Sequence, residues 1–551
     1  MDPKKVEKLK WGRAALFSLS LSLIMTFLLS STSSAESEYE KWRKEELGQF
    51  QEFKDKRDKA FTAHLKKQWE EFRIFAGEKA YEKPKPKKIP VARKKSPQEE
   101  KPFAGKIVKV IPLPRPIPAK KTISVVEPLP LQKKPTVKIK PLPDIEPDIT
   151  KEPKSVKKPE LATEPLLVAP EQKKPLPLPI TAKGEKLELD FYGTKLSFRY
   201  DPSLKASLGG RIDAKAISSF WETLSKADFD GMLEQLRRYK QELKLNDWGY
   251  HLLTHRTGEG IYGKRNKNEV NLFAWFILSK ANYDTKVGYN DNEIFILSPS
   301  RNSIYGVSFL KLDGKKYYAI SFDGKKTSMG SLYTYKGKYP GSSDLMDYGI
   351  YEMPEVAGKV IARDLKFQYR GKTYIVPVKY NKMMPEYFEY YPQTEFEVYF
   401  NASVSPEAGY SLVEGLRPII EGKTEGEAVN IIIRFVQTAF EYKTDDSQFG
   451  REKYLLPDET LFYPYSDCED RSILFAYLVD KLVGLEVVGL HYPGHMATAV
   501  RFNSDIKGDW VRYKGKKYIV TDPTYINADI GTAMPQFKNV MPKIIPIGKR
   551  A

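Results

Sequence analysis

The sequence predicts an α+β protein in which two related globular halves, each an antiparallel sheet carrying a helix, follow a long basic extension. Three observations carry this reading. The apolar run Ile473 to Val479 reads as a buried helix, and the alternating stretches His495 to Phe502 and Lys516 to Thr521 behind it read as strands. A similar order of helix and strands recurs earlier, from Leu272 onward. Of the 39 prolines, 22 fall between Tyr81 and Ile180, a density that forms no packed core.

Residues 1–35 come first. Lys4, Lys5, Lys8, Lys10 and Arg13 precede the apolar AALFSLSLSLIMTFLL, which ends in SSTSSA. A basic segment, an apolar segment and small residues before a cut after Ala35 describe a secretory signal, with an uncleaved inner-membrane anchor as the alternative. Export to the periplasm or cell envelope is the expectation. Cys468 is the only cysteine, so an exported chain has no internal disulfide and keeps one free thiol.

Residues 36–80 are charged, with Leu47, Phe50, Phe61, Leu65, Trp69 and Phe72 at helical spacing. They predict one long amphipathic helix whose apolar stripe pairs with itself, a partner helix or a membrane surface. Residues 81–183, with KPKPKKIP, IPLPRPIP and PLPLP, predict a disordered, largely polyproline-II tether. Much of the net charge of +19 sits there, since residues 81–180 hold 23 Lys and Arg against 11 Asp and Glu. Positive charge on an extended tail gives no folded nucleic-acid site, and no nucleic-acid partner is expected. Anionic membrane surface or acidic envelope polymers suit it, as does plain solvation.

Residues 184–345 and 346–545 form the two halves. KLELDFYGTKLSFRYDP is similar to DLKFQYRGKTYIVPVKY, Leu272-Phe273-Ala274-Trp275 to Leu474-Phe475-Ala476-Tyr477, and DGKKYYAIS to YKGKKYIVTD. The second half opens on a β-rich stretch, Val360 to Ala402, including KTYIVPVKY and TEFEVYFNA. In this register Asn266 stands opposite Cys468 and Glu293 opposite His495, and a one-residue shift sets Ser321 opposite Asp522. The first copy would then have lost all three chemical groups.

Those three groups are the candidate site. Ser466 or Asp467 can cap a helix beginning at Cys468, whose positive end favours a thiolate. His495 opens one strand and Asp522 closes another, so nucleophile, base and orienter can meet. Asp467, Glu469 and Asp470 argue against a buried sulfur, and Glu469 and Asp470 are expected to project away from it. Nearby acids nevertheless raise a thiol pKa. His491 and His495 are four apart, but Pro493 and Gly494 between them break any helix, so no metal is expected. His251 and His255 share a helical face and read as core or surface residues. No cofactor is expected.

With DCED, PGH and TDPT in that order, Val360 to Pro535 resembles the transglutaminase-like cysteine peptidase and transglutaminase superfamily, whose Cys-helix packs on an antiparallel sheet in a papain-like manner. The resemblance implies Cys468 as nucleophile, His495 as base and acid, and Asp522 as the group fixing the imidazole tautomer. The stretch from Thr424, with Thr424 and Glu427 as a capping box, fits the helix preceding the Cys. Gln437, Tyr463 and Tyr465 are the candidates for an oxyanion donor beside the Cys468 amide. Three function classes follow: hydrolysis of a peptide or isopeptide bond in a peptide or protein substrate, acyl transfer to an amine that crosslinks proteins, or noncatalytic binding of envelope components.

Overall fold

Alternating apolar residues and a tight turn make the first element of each half a hairpin. In the computed structural model, which describes residues 54–81, 83–95, 102–103, 105–124, 184–322 and 330–548 with isolated positions from 41 to 52, helix α1 covers residues 54–65. Strands β1 (Trp69–Arg73) and β2 (Thr122–Ser124) follow, then the hairpin of β3 (Glu185–Phe191) and β4 (Thr194–Tyr200). Helices α2 (Ala214–Lys226), α3 (Asp230–Glu242), α4 (Asp247–Tyr262) and α5 (Lys267–Lys280) lead into β5 (Lys286–Tyr289), β6 (Ile294–Pro299), β7 (Phe309–Leu312), β8 (Lys315–Ala319) and β9 (Ser331–Tyr335).

The second half opens on the hairpin of β10 (Val360–Tyr369) and β11 (Lys372–Asn381). Helices α6 (Met383–Tyr387), α7 (Phe396–Phe400), α8 (Pro406–Ile420) and α9 (Glu425–Thr438) follow, then β12 (Glu441–Tyr442), α10 (Asp445–Phe449), α11 (Pro457–Phe462) and β13 (Tyr465–Ser466). Helix α12 (Cys468–Val483) precedes β14 (Glu486–Tyr492), β15 (His495–Arg501), β16 (Trp510–Tyr513), β17 (Lys516–Thr521) and β18 (Lys543–Pro546).

The chain is α+β with antiparallel sheets. Both opening hairpins close on two residues of positive φ, Tyr192-Gly193 at 49° and 83° and Arg370-Gly371 at 47° and 75°. That turn matches the twist of the strands it joins. One sheet has the order β1-β9-β5-β6-β8-β7 and another β16-β17-β15-β14-β18. Without β1, the two orders are the same in terms of chain succession. The β7–β8 turn closes at Leu312 and Lys315, and the β16–β17 turn at Tyr513 and Lys516.

Helix α12 lies against α9 on one side and β14 and β15 on another, so its first residue sits where helix and sheet meet. It is buried nearly all round, which explains an apolar run with little one-sidedness.

Several expectations are corrected. Helix α1 stops at residue 65, and Trp69 and Phe72 belong to β1, which pairs with β9. The sequence WEEFR alternates, and an open sheet edge was available to it. The buried Phe61 packs on Trp221 and Tyr335 with ring centroids 4.8 and 5.7 Å away, so this part of the stripe is covered within the chain. TEFEVYFNA is not a strand but contains α7. Phe396, Val398, Tyr399 and Phe400 are all buried, a pattern that strand alternation does not give.

The proline-rich region is only partly a free tether in its described residues. β2 pairs in parallel with β4, the Val108 amide donates to the Lys423 carbonyl at 2.8 Å, and the Ala92 amide donates to the Ile526 carbonyl at 2.9 Å. Between prolines, the remaining amides and carbonyls can join an existing edge. Asn266 is the N-cap of α5 and Glu293 precedes β6, whereas Cys468 and His495 are the first residues of α12 and β15; the first residues of α5 and β6 are Lys267 and Ile294. No helix among the described residues is long and apolar enough to cross a membrane. The signal or anchor reading of residues 1–35 and the tether reading of 125–183 lie outside the described residues.

Candidate active site

Cys468 begins α12 after the N-cap residue Asp467, as the capping pattern predicts. The Asp467 amide donates to Asp470 Oδ2 at 3.1 Å, and Asp470 Oδ1 accepts from the Leu455 amide at 2.8 Å. These bonds fix the first turn. One turn later, Ser472 Oγ donates to the Met496 carbonyl at 3.3 Å, which ties the Cys468 face of the helix to the residue beside His495.

His495 Nε2 donates to Asp522 Oδ2 at 2.9 Å. Asp522 Oδ1 accepts from the amides of Thr524 at 2.9 Å and Tyr525 at 3.1 Å. A carboxylate held by two backbone donors orients the ring, and a proton on Nε2 leaves the Nδ1 lone pair free. Nδ1 is buried and has no hydrogen-bond partner among the described residues. The His495 ring stacks on Phe537 with centroids 5.0 Å apart and planes 4° off parallel.

The sulfur is not bonded to that ring. Cys468 Sγ donates to Glu469 Oε2 at 3.1 Å, and Cys468, His495 and Asp522 are 0%, 0% and 2% exposed. Burial pushes the thiol well above its ordinary range, Glu469 and Asp467 push it further, and Lys85 opposes them. The expectation that the neighbouring acids keep the sulfur at the surface is thus overturned. Asp467, Glu469 and Asp470 are themselves buried.

Lys85 makes that burial tolerable. This residue of the proline-rich region has a side chain 4% exposed, and its Nζ lies 2.8 Å from Asp467 Oδ2, 3.1 Å from Asp445 Oδ2 and 2.6 Å from Glu452 Oε1. It also bonds Glu469 Oε1. Burial lowers the Lys85 pKa, but Asp467, Glu469 and Asp445 outweigh it and hold the ammonium well above its ordinary range. Burial raises the carboxyls of Asp445, Glu452, Glu469 and Asp470. Five acids beside one lysine cannot all ionise cheaply in such a place. One oxygen each from Asp445, Asp467 and Glu469 lie within 4.8 Å of one another, a spacing that suits a cation. Lys85 Nζ is the cation there.

The candidate oxyanion donors have other partners. Gln437 Nε2 is committed to the carbonyls of Asp522, Tyr525 and Ala528 at 3.1, 2.8 and 3.0 Å. Gln437 therefore holds the Asp522 loop. The Tyr463 ring packs on Phe449 and Phe462, and Lys443 Nζ lies 5.0 Å from the Tyr465 ring centroid. Sequence reasoning missed Tyr442 and Tyr81. After burial, a charge on the sulfur is the next cause raising the Tyr442 phenol. At Tyr81, burial and Glu469 come first and the sulfur third. Pairing of β12 with β13 sets Tyr442 beside Ser466, two residues before Cys468. No sequence signal separates Lys85 from Lys83 or Lys87.

Thr424 caps α9 by accepting from the Glu427 amide at 3.3 Å, but Glu427 accepts from Tyr369 Oη at 3.0 Å, so only this half of the predicted box is used. Arg471, fully buried, donates to Ser466 Oγ at 3.1 Å and to the carbonyls of Gln437 and Phe440 at 3.4 and 2.8 Å. It cements α12 to the C-terminal end of α9, where a cation is favoured. His491 lies on β14, opposite Met496, between the rings of Tyr81 and Phe396, and burial pulls it down to about 4. His251 is buried in α4, and His255, half-buried one turn on, approaches Glu259 at 3.9 Å.

No family model, curated protein or solved structure matches the chain.

Proposed function

We propose that this chain is a thiol enzyme of the transglutaminase-like kind that cleaves a peptide or isopeptide bond through an acyl-enzyme on Cys468. The supporting observation is the arrangement of His495. Its Nε2–H is bound to a doubly anchored carboxylate, while its buried Nδ1 has no partner and its strand is bonded to the helix face that begins at Cys468. In the proposed reaction Sγ gives its proton to Nδ1 and attacks the carbonyl carbon. The imidazolium returns that proton to the departing amine as the C–N bond breaks. Water then gives a proton to Nδ1, its oxygen joins the acyl carbon, and the C–S bond breaks to restore the thiol. An amine in place of that water would make the chain a crosslinking acyl transferase.

The matched strand orders of the two sheets, with the same succession of hairpin, helix and strands, support a tandem repeat. In that reading the first half is a copy without the chemistry, since Lys267, Ile294 and Ser321 stand at the three places. It serves as scaffold or substrate-binding module.

The test uses the full chain, because β2 within the proline-rich region belongs to the fold. Wild type, Cys468→Ala and Lys85→Glu are incubated with an envelope extract, with and without a labelled primary amine. Shortened peptides without label indicate a hydrolase, and label in large species indicates a transferase. If neither wild type nor Lys85→Glu differs from Cys468→Ala, a noncatalytic envelope-binding role replaces this reading.

A further inference from the structure

The three candidate reacting groups are buried, yet a site that acts on a polypeptide must admit one. One stretch of this chain runs past all three, beside Phe537, which stacks on the His495 ring. Tyr81 Oη donates to Glu469 Oε2 at 3.5 Å, and its ring meets His491 edge-on at 5.2 Å. Two residues on, the chain passes so close to the loop before His495 that a Cβ on Gly494 would lie 2.9 Å from the Pro84 carbonyl oxygen and 3.5 Å from that of Lys83. Lys85 then enters the carboxylate cluster on either side of Cys468, and the Pro86 carbonyl accepts from Tyr442 Oη at 2.8 Å. Beyond it, Ile89 and Ala92 pack on Tyr525, Ala528 and Met534. Val91 pairs in parallel with Ile526, Asn527 Nδ2 donates to the Ala92 carbonyl at 3.3 Å, and Lys95 Nζ lies 2.6 Å from Asp529 Oδ2.

Residues 81–95 thus visit the flanks of Cys468, the approach to His495 and the loop after Asp522 in turn. The described residues of this segment form no helix, and its prolines restrict the backbone before it is bound, so it loses little conformational freedom on docking. Its backbone bonds the loop at Ile526 through the Ala92 amide while one side chain is inserted among the carboxylates, the manner in which a cleft takes a peptide.

We infer that residues 81–95 are a resident occupant of the substrate cleft, that the cleft takes an extended polypeptide, and that Asp445, Glu452, Asp467 and Glu469 form a pocket reading a lysine side chain, which Lys85 fills in the closed chain. Reaction at Cys468 requires this segment to leave. The consequence for catalysis rests on the thiol-enzyme reading above, but the occupancy itself does not.

The experiment is alkylation of Cys468 by iodoacetamide in the native full chain, followed by mass spectrometry. Wild type is expected to react slowly. Lys85→Glu sets a further acid among carboxylates and expels the segment, raising the rate roughly tenfold or more while the thermal melt stays cooperative. Tyr442→Phe removes the bond to the Pro86 carbonyl together with a hydroxyl near the sulfur, and gives a smaller rise in a chain that keeps its buried lysine. A synthetic peptide of residues 81–95, added to Lys85→Glu, is expected to slow alkylation again, and the same peptide with Lys85→Ala is not. Wild-type rates in both folded variants overturn the occupancy; should Lys85→Glu not fold, Tyr442→Phe alone decides. Equal protection by the two peptides overturns the lysine pocket. His495→Ala in the opened chain separates the two proposals: if it leaves alkylation and its pH profile unchanged while the variants open the site, the enzyme reading fails and the occupant remains.

Discussion

Replacing Asp522 with Asn exchanges one carboxylate oxygen for an amide nitrogen and should reverse the protonation of His495. Two backbone amides, those of Thr524 and Tyr525, point at Oδ1 from 2.9 and 3.1 Å. An Asn whose nitrogen faced them would oppose donor to donor twice, forfeiting roughly 2 kcal/mol of hydrogen bonding. The oxygen therefore stays on the loop and the amide nitrogen turns to the imidazole. Facing a donor, Nε2 must become the acceptor, and the ring proton moves to Nδ1, the nitrogen with no partner in wild type. Under the proposed function, the nitrogen that would take the thiol proton is then already protonated. A wrong tautomer of this kind costs on the order of 10⁴ in turnover. Loss of one charge-assisted bond costs about 1.5–3 kcal/mol of stability, which a melt resolves. The direct assay is nitrogen NMR of histidine-labelled protein, with the His495 signals among the five histidines identified by His495→Ala. Wild type should show the proton on Nε2 and Asp522→Asn on Nδ1. A wild-type ring protonated on Nδ1 alone, or a variant that keeps its proton on Nε2, refutes the role assigned to Asp522.

Gln437→Ala frees three carbonyls of the Asp522 loop and should lower stability by about 1–3 kcal/mol, and it should broaden the His495 ring signals; unchanged signals would make Gln437 a purely structural residue. His251 is fully buried with neither ring nitrogen bonded among the described residues, and burial, then His255, pulls it to about 3. Its folded pKa lies below the unfolded one, so stability is kept above pH 6.5 and falls as pH drops toward 3, by about 3 kcal/mol at pH 4. His251→Leu should remove that share of acid sensitivity, and equal losses in both proteins between pH 7 and pH 4 would assign it to other groups. Gly371→Val forces a β-branched residue to a φ of 75° in the β10–β11 turn and should cost about 1–2 kcal/mol, whereas an unchanged melt would mean that the turn relaxes freely.

Local pattern determined much of this protein by itself. The onset of α12 at Cys468 was legible because a capping cluster preceded an apolar run, and β15 and β17 because alternation bounded by Gly494 and Pro523 leaves few other conformations. Candidate groups at the start of a helix, the start of one strand and just past the end of another could be named without knowing how the elements pack. Other features depended on partners far away in sequence. Whether Trp69 continues a helix or joins a strand was decided by the free edge of β9, and TEFEVYFNA became α7 because four of its side chains found burial together. Gln437 carries the right amide for an oxyanion donor, but the loop after Asp522 takes it. The surroundings of Cys468 were settled least locally, since its buried acids are joined by a lysine 383 positions away in a proline-rich stretch that composition alone assigns to solvent. Composition records how readily a segment packs on itself, whereas the fate of Lys85 depends on a cluster of buried acids that only the tertiary structure assembles.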